Sequence, residues 1–270
     1  MATRVIDDSK LQDIAVAIQG KDGGDTMTVD EMPTRIAAIQ EVLFSIYGRQ
    51  YTRTVEIPNN VTTIGDYAFN SCTELTKITF PDSLTTIKHD AFGHCTSLTE
   101  IDLKNMTTFS GSYHFQHCTS LRKVIGKKVT STVQSFYSCT ALQTAILPNV
   151  SKIGLDTFRN AYALKNVDCR NVSLISSEAF QDCLQLNLID LTFRATPTAL
   201  ESTDVFKGKN NTWIAVVAND TIKSDFQNAT NWSTFASHFR TIAEVEAEVG
   251  MTYDAYYYQL FGHARNEVAA

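Results

Sequence analysis

The sequence predicts an α+β solenoid, built from short strands stacked coil on coil with turns between them, preceded by a helical segment and closed by C-terminal capping and tail helices. Two observations carry this. A phrase such as DAFGHCTSLTEIDL, residues 90–103, returns along the chain; its phenylalanines Phe69, Phe92, Phe115, Phe136, Phe158 and Phe180 stand 23, 23, 21, 22 and 22 residues apart. A fixed period of about 20 to 29 residues marks stacked repeats. Within each unit, apolar residues then follow at fixed offsets and end on alternate sites, as in Leu75, Ile78, Phe80 and Leu186, Ile189, Leu191. Alternation is strand periodicity. One coil closes only one side of its own core, so neighbours must cover it.

Composition agrees with a folded chain. The 270 residues are 43% hydrophobic and 10% aromatic, enough for a large core. A net charge of -6 and pI near 5.5 argue against a basic nucleic-acid surface. No apolar run reaches the roughly 18 residues of a membrane span, and the first twenty residues are amphipathic rather than a secretory signal.

Four segments follow: a helical anchor over 1–50, the solenoid over 51–212, a cap over 213–242 and a tail over 243–270. In the anchor, Leu11, Ile14, Ala15 and Ile18 make one short amphipathic helix, stopped by Gly20. A second starts at a capping box from Thr28 to Glu31; its Met32, Ile36, Ile39, Leu43 and Ile46 form a candidate assembly face. Two heptads fall short of a coiled coil, so a hairpin packed on the first coil remains an alternative. In the cap, a last strand begins at Trp213, and Ile222, Phe226, Trp232, Phe235 and Phe239 are expected to cover the open end. The tail carries Tyr253, Tyr256, Tyr257, Leu260 and Phe261 at helical spacing, between a Thr252 cap and a Gly262 stop. This stripe either folds back on the solenoid or docks on another subunit. Docking is the working hypothesis, because the cap has already covered the repeat core.

The cysteines are locked to the repeat. Cys72, Cys95, Cys118, Cys139 and Cys183 share one position, and Cys169 takes a strand site. Buried thiols explain this better than disulfides. His89, His94, His114 and His117 lie near the ladder, but a His on a turn need not converge with a Cys pointing inward, so polar turns are favoured over a zinc cluster. Eight N-x-S/T triplets read as turn residues rather than glycan acceptors. No G-x-S-x-G, H-E-x-x-H, Walker or G-x-G-x-x-G motif is present. No enzyme, cofactor or metal is expected.

Binding falls to the outward strand positions: Lys77, Thr79, Glu100, Asp102, Lys123, Ile125, Thr144, Ile146, Asn166, Asp168 and Asp190. Charge alternates between rungs, so no stripe tracks a phosphate backbone. Ile125 and Ile146 form the apolar patch best suited to contact.

The pattern A-F-x-x-C-x-x-L-x-x-I-x-L-P, matched at 68–81, 91–103 and 179–191, resembles the BspA-like leucine-rich repeat family. The middle units depart from it at Gly126 and at Ala161, which replaces Cys. The resemblance implies a solenoid and says little of function. Residues 5–39 resemble a module found at the N-termini of phage structural proteins, which implies anchoring to a particle. Together these lead to a phage virion protein, a tail, baseplate or head-fibre receptor-binding component made in the bacterial cytoplasm. Its partners would be other virion proteins and a host-surface protein or glycan, in a homo-oligomer such as a trimer. The alternatives are a bacterial surface or secreted adhesin and an intracellular protein-binding module.

Overall fold

The computed structural model describes residues 54–57, 59–208 and 212–265. The anchor segment, with Met32, Ile36, Ile39, Leu43 and Ile46, lies outside the described residues.

Each coil contributes a strand to one long parallel sheet: β1 (Thr54–Glu56), β3 (Lys77–Thr79), β5 (Glu100–Asp102), β7 (Lys123–Ile125), β9 (Thr144–Ile146), β11 (Asn166–Asp168), β13 (Leu188–Asp190), β15 (Ile214–Val217) and β16 (Phe239–Thr241). On the opposite side run two-residue strands: β2 (Thr63–Ile64), β4 (Thr86–Ile87) and β6 (Thr108–Phe109) in one sheet, and β8 (Ser131–Thr132), β10 (Lys152–Ile153), β12 (Leu174–Ile175) and β14 (Ala199–Leu200) in another. Register follows the repeat, with Lys123 paired to Thr144 and Ile125 to Ile146. The middle residue of each long-sheet strand points inward, so Ile78, Ile101, Val124, Ala145, Val167 and Ile189 are buried.

Between the sheets the phenylalanines stack. Centroids of Phe69, Phe92, Phe115, Phe136, Phe158, Phe180 and Phe206 follow one another at 4.9 to 5.7 Å, and Trp213 closes the column 4.2 Å beyond Phe206. The cysteines run beside this column. The thiols of Cys95, Cys118, Cys139 and Cys183 donate to the carbonyls of Phe69, Phe92, Phe115 and Phe158, one coil back, at 3.0 to 3.2 Å. None of the six cysteines is in a disulfide, and Cys72 alone among them is half-buried. Burial raises the thiol pKa of Cys95, Cys118 and Cys169, which keeps them protonated and inert.

The irregular units have local reasons. A Cβ at Gly126 would come within 2.9 Å of Val129 and Leu147 side chains, because larger neighbours already fill its space. Three of the N-x-S/T asparagines work as coil-to-coil ties: Asn105, Asn149 and Asn171 donate to the carbonyls of Asp82, Lys127 and Pro148.

The C-terminal end goes beyond the expected cap. α1 (Asp220–Asn228) packs Phe226 with Trp232 and Phe239 over the open core, and β16 adds one more strand after β15. Then come α2 (Ile242–Val249), started by a Thr241/Glu244 capping box, and α3 (Tyr253–Phe261), capped by Thr252 and ended by Gly262 at φ 77°.

Candidate functional site: a half-covered sheet

Burial along the long sheet changes midway. The flanking residues of β1, β3, β5 and β7 are exposed or half-buried, whereas all three residues of β11 and of β13 are buried. The cover is the protein's own tail. Ile146, Leu188 and Val216, outward on their strands, pack with Val245, Tyr253, Tyr257 and Phe261 in a second apolar cluster.

This corrects two expectations. Ile146, Asn166, Asp168 and Asp190 do not belong to an exposed binding surface, because α2 and α3 lie on the rungs that carry them. The tail does not present its stripe to another subunit: Tyr253, Tyr257 and Phe261 are buried against the sheet, with Tyr256 and Leu260 half-buried beside them. The later rungs carry Ile146, Leu188 and Val216 where the early ones carry charge, so an apolar helix face finds its match within the chain.

A buried polar cluster fixes α3 in place. Arg170 forks onto Asp168, with Nε to Oδ1 at 2.9 Å and Nη2 to Oδ2 at 2.6 Å. The Tyr257 hydroxyl donates to Asp168 Oδ2 at 2.5 Å and accepts from Arg170 Nη2 at 2.6 Å, while Arg170 Nη1 donates to the Arg265 carbonyl at 2.8 Å. Asp190, register partner of Asp168, accepts from the Thr192 amide at 2.9 Å. Burial, and then the adjacent Asp168 charge, push the Asp190 carboxyl up to about 6. Fully buried pairs of this kind are poor sources of net stability but impose one geometry. Here that geometry joins residues 87 and 89 positions apart in sequence.

The first half of the sheet stays open. A cleft of about 420 Å³ lies over β3, β5 and β7, with Lys77, Thr79, Glu100, Asp102, Lys104, Lys123 and Ile125 around it and Ile78, Phe80, Thr99 and Ile101 lining it. Beneath it β3 and β5 share a single register pair, Lys77 with Glu100. Lys123 donates to the Phe261 carbonyl at 3.2 Å, so the C-terminus of α3 borders this surface. Thus Lys77, Thr79, Glu100, Asp102, Lys123 and Ile125 are brought together, and half-buried Thr144 sits on the next rung.

The histidines divide. His114 is buried, with Nδ1 3.2 Å from Ser135 Oγ and Nε2 3.1 Å from the Ser110 carbonyl, and burial lowers its pKa to about 4. His94 and His117 stack on adjacent coils at 4.7 Å. Among the described residues, no three of His, Cys, Asp or Glu converge as a metal site.

The model of the BspA type leucine rich repeat region matches in six copies, over residues 37–135 and 112–213. The chain belongs to this family. Among solved structures, a leucine-rich repeat protein from Eubacterium ventriosum is 26% identical with a TM-score of 0.52, over 59% of this chain and 43% of that one. The chain therefore spans less than half the length of that relative. A Treponema pallidum leucine rich repeat protein is 21% identical at a TM-score of 0.48, covering 60% of this chain and 73% of that one. A leucine rich cell surface protein from Faecalibacterium prausnitzii is 22% identical at 0.38, over 61% and 56% of the two chains. No curated protein matches the sequence.

The BspA-type phrase accounts for the ladder and the inward residues. It does not account for the covering tail. For α2, which the sequence reading missed, the capping box Thr241-Ile-Ala-Glu244 was the available signal. The contacts of Tyr257 and Arg265 with Asp168 and Arg170 had no local signal, because they join distant segments.

Proposed function

We propose that this BspA-type repeat protein is a non-enzymatic binding module of the bacterial surface-adhesion kind, and that the open half of its long sheet is the contact surface. The observation that supports this most is the asymmetry of cover: the same sheet face is closed by apolar helices over β9 to β15 and left open, charged and clefted over β3 to β7. Solvated Lys77, Glu100 and Asp102 beside half-buried Ile125 resemble the polar rim and apolar centre of a protein interface. Family membership favours a surface adhesin over the virion component, for which residues 5–39 are the sole support and which no comparison favours.

Antibody labelling tests the location. Labelling of intact source bacteria supports the surface reading, whereas labelling confined to purified phage particles replaces it with the virion reading. For the contact surface, beads coated with the full chain should adhere to purified epithelial or bacterial envelope proteins. A Lys77→Glu/Asp102→Lys variant should lose that adhesion, and a Tyr258→Ser variant should keep it. Equal adhesion by all three would exclude the open half-sheet.

A further inference from the structure

A second surface crosses the coils, on the ridge of turns between the short sheets and the long one. Six rings line it in two rows, four on successive coils and two beside them. Tyr67 meets His89 at 5.2 Å between centroids, His89 meets Tyr113 at 6.1 Å, Tyr113 meets Tyr137 at 6.3 Å, Tyr137 meets His117 at 5.7 Å, and His117 stacks on His94 at 4.7 Å. None of the six is buried, and Tyr67 is 57% exposed.

The fold does not require rings there. The residues two before and two after Phe69, Phe92, Phe115, Phe136, Phe158 and Phe180 have positive φ, among them Tyr67 at 57°, Tyr113 at 63°, His94 at 61° and His117 at 56°. Left-handed backbone suits Asn, Asp, His and Gly, and a bulky tyrosine there, as at Tyr67 and Tyr113, is an outlier. Elsewhere along the column the same positions carry smaller or more polar residues, among them Asp90, Ser138, Asp156, Asn160, Glu178 and Asp182. The early coils thus hold tyrosines in strained backbone without burying them in the core. Strain kept at an exposed position points to function.

Polar side chains hold the ridge in shape. Asp90 accepts from Asn70 Nδ2 at 2.8 Å and from Gln116 Nε2 at 2.9 Å, and Gln134 Nε2 donates to the Tyr113 hydroxyl at 2.8 Å. Rings set in advance by a hydrogen-bonded frame lose little freedom on binding.

We propose that this ridge binds a glycan chain laid across the coils. A pyranose presents a C–H face that stacks on an aromatic ring and a rim of hydroxyls that bond to amides and carboxylates, and the ridge supplies an exposed ring at Tyr67 with the exposed Asp66 carboxylate beside it. The carboxylates of Asp66 and Asp90 lie beside the rings, which suits a neutral sugar and disfavours a polyanion. Successive coils advance by about 4.8 Å, close to the advance per sugar of an extended polysaccharide. This surface is separate from the open half-sheet, so either can fail without the other.

The test is retention of the full chain on four neutral polysaccharides, chitin, cellulose, mannan and xylan, with the matching soluble hexasaccharide as competitor. At least one polysaccharide should retain the protein. Retention should weaken at least tenfold in Tyr67→Asn/His94→Asn/Tyr113→Asn, whose melting temperature should be unchanged or higher because asparagine suits left-handed backbone. The Lys77→Glu/Asp102→Lys variant should be retained like the parent. Failure of all four polysaccharides to retain the parent, or equal retention of the triple variant, would overturn the proposal. So would retention lost only in the half-sheet variant.

Discussion

Tyr257→Phe removes one hydroxyl and nothing else, at the point where α3 meets the sheet. That hydroxyl donates to Asp168 and accepts from Arg170, and both partners are at most 1% exposed. Asp168 keeps its two bonds from Arg170, and Arg170 keeps the Arg265 carbonyl, so the net loss is one charge-assisted bonding site rather than an orphaned ion. A hydrogen bond to a charged group contributes about 1.5–3 kcal/mol. At about 2–4 °C per kcal/mol for a domain of this size, the melting point should fall by about 3–12 °C. Thermal and urea denaturation at two protein concentrations measure the two quantities, and the shift should be the same at both. A loss below about 0.5 kcal/mol, or a shift that grows on dilution, would refute packing of the tail on its own sheet.

Other outcomes follow from the core and the buried titratable groups. Phe115→Ala, in the middle of the ring column, should cost about 3–5 kcal/mol through the cavity it leaves; a loss below about 1 kcal/mol would contradict the stacking register. Thiol titration of denatured, unreduced protein should find all six cysteines free, and in the native state Cys72 should react first because the other five are buried; a stable disulfide would contradict the ladder. Two groups should act oppositely on stability against pH. Asp190, raised from 3.8 to about 6, holds its proton more tightly when folded, so its contribution is full below pH 4 and is lost as pH rises through 6. His114, lowered from 6.5 to about 4, is protonated first in the unfolded chain, so stability is lost as pH falls from 6.5 towards 4. Asp190→Asn should therefore raise the urea midpoint at pH 8 and change it little at pH 4, and His114→Gln should flatten the acid limb; parallel profiles for parent and variants would contradict both assignments.

The repeat was legible because every coil writes the same instruction. Phe, Cys, Leu and Ile return at fixed offsets, and each occupies an equivalent site one coil on, so a local pattern determines a long-range stack. The α3 helix was legible for another reason: Thr252, the tyrosine stripe and Gly262 are neighbours in sequence. Its destination was not. Asp168 and Asp190 read as outward and charged, the usual marks of solvent, and their burial depends on Tyr257 and Arg265 arriving from a distant segment. The switch from Glu100 and Asp102 on one rung to Leu188 on a later one was the available hint that the face changes character along the sheet.

Hydrogen exchange on α3 tests the central claim most directly, because a nine-residue helix is marginal alone in water and owes its protection to what it packs on. With α3 seated on β9 to β15 of its own chain, the amides of Tyr256, Tyr257, Leu260 and Phe261 should be protected as strongly as those of the repeat core, equally at micromolar and at hundred-micromolar protein. Exchange at the rate of a free peptide, or protection that appears only at the higher concentration, would contradict a solenoid whose own tail closes half of its sheet.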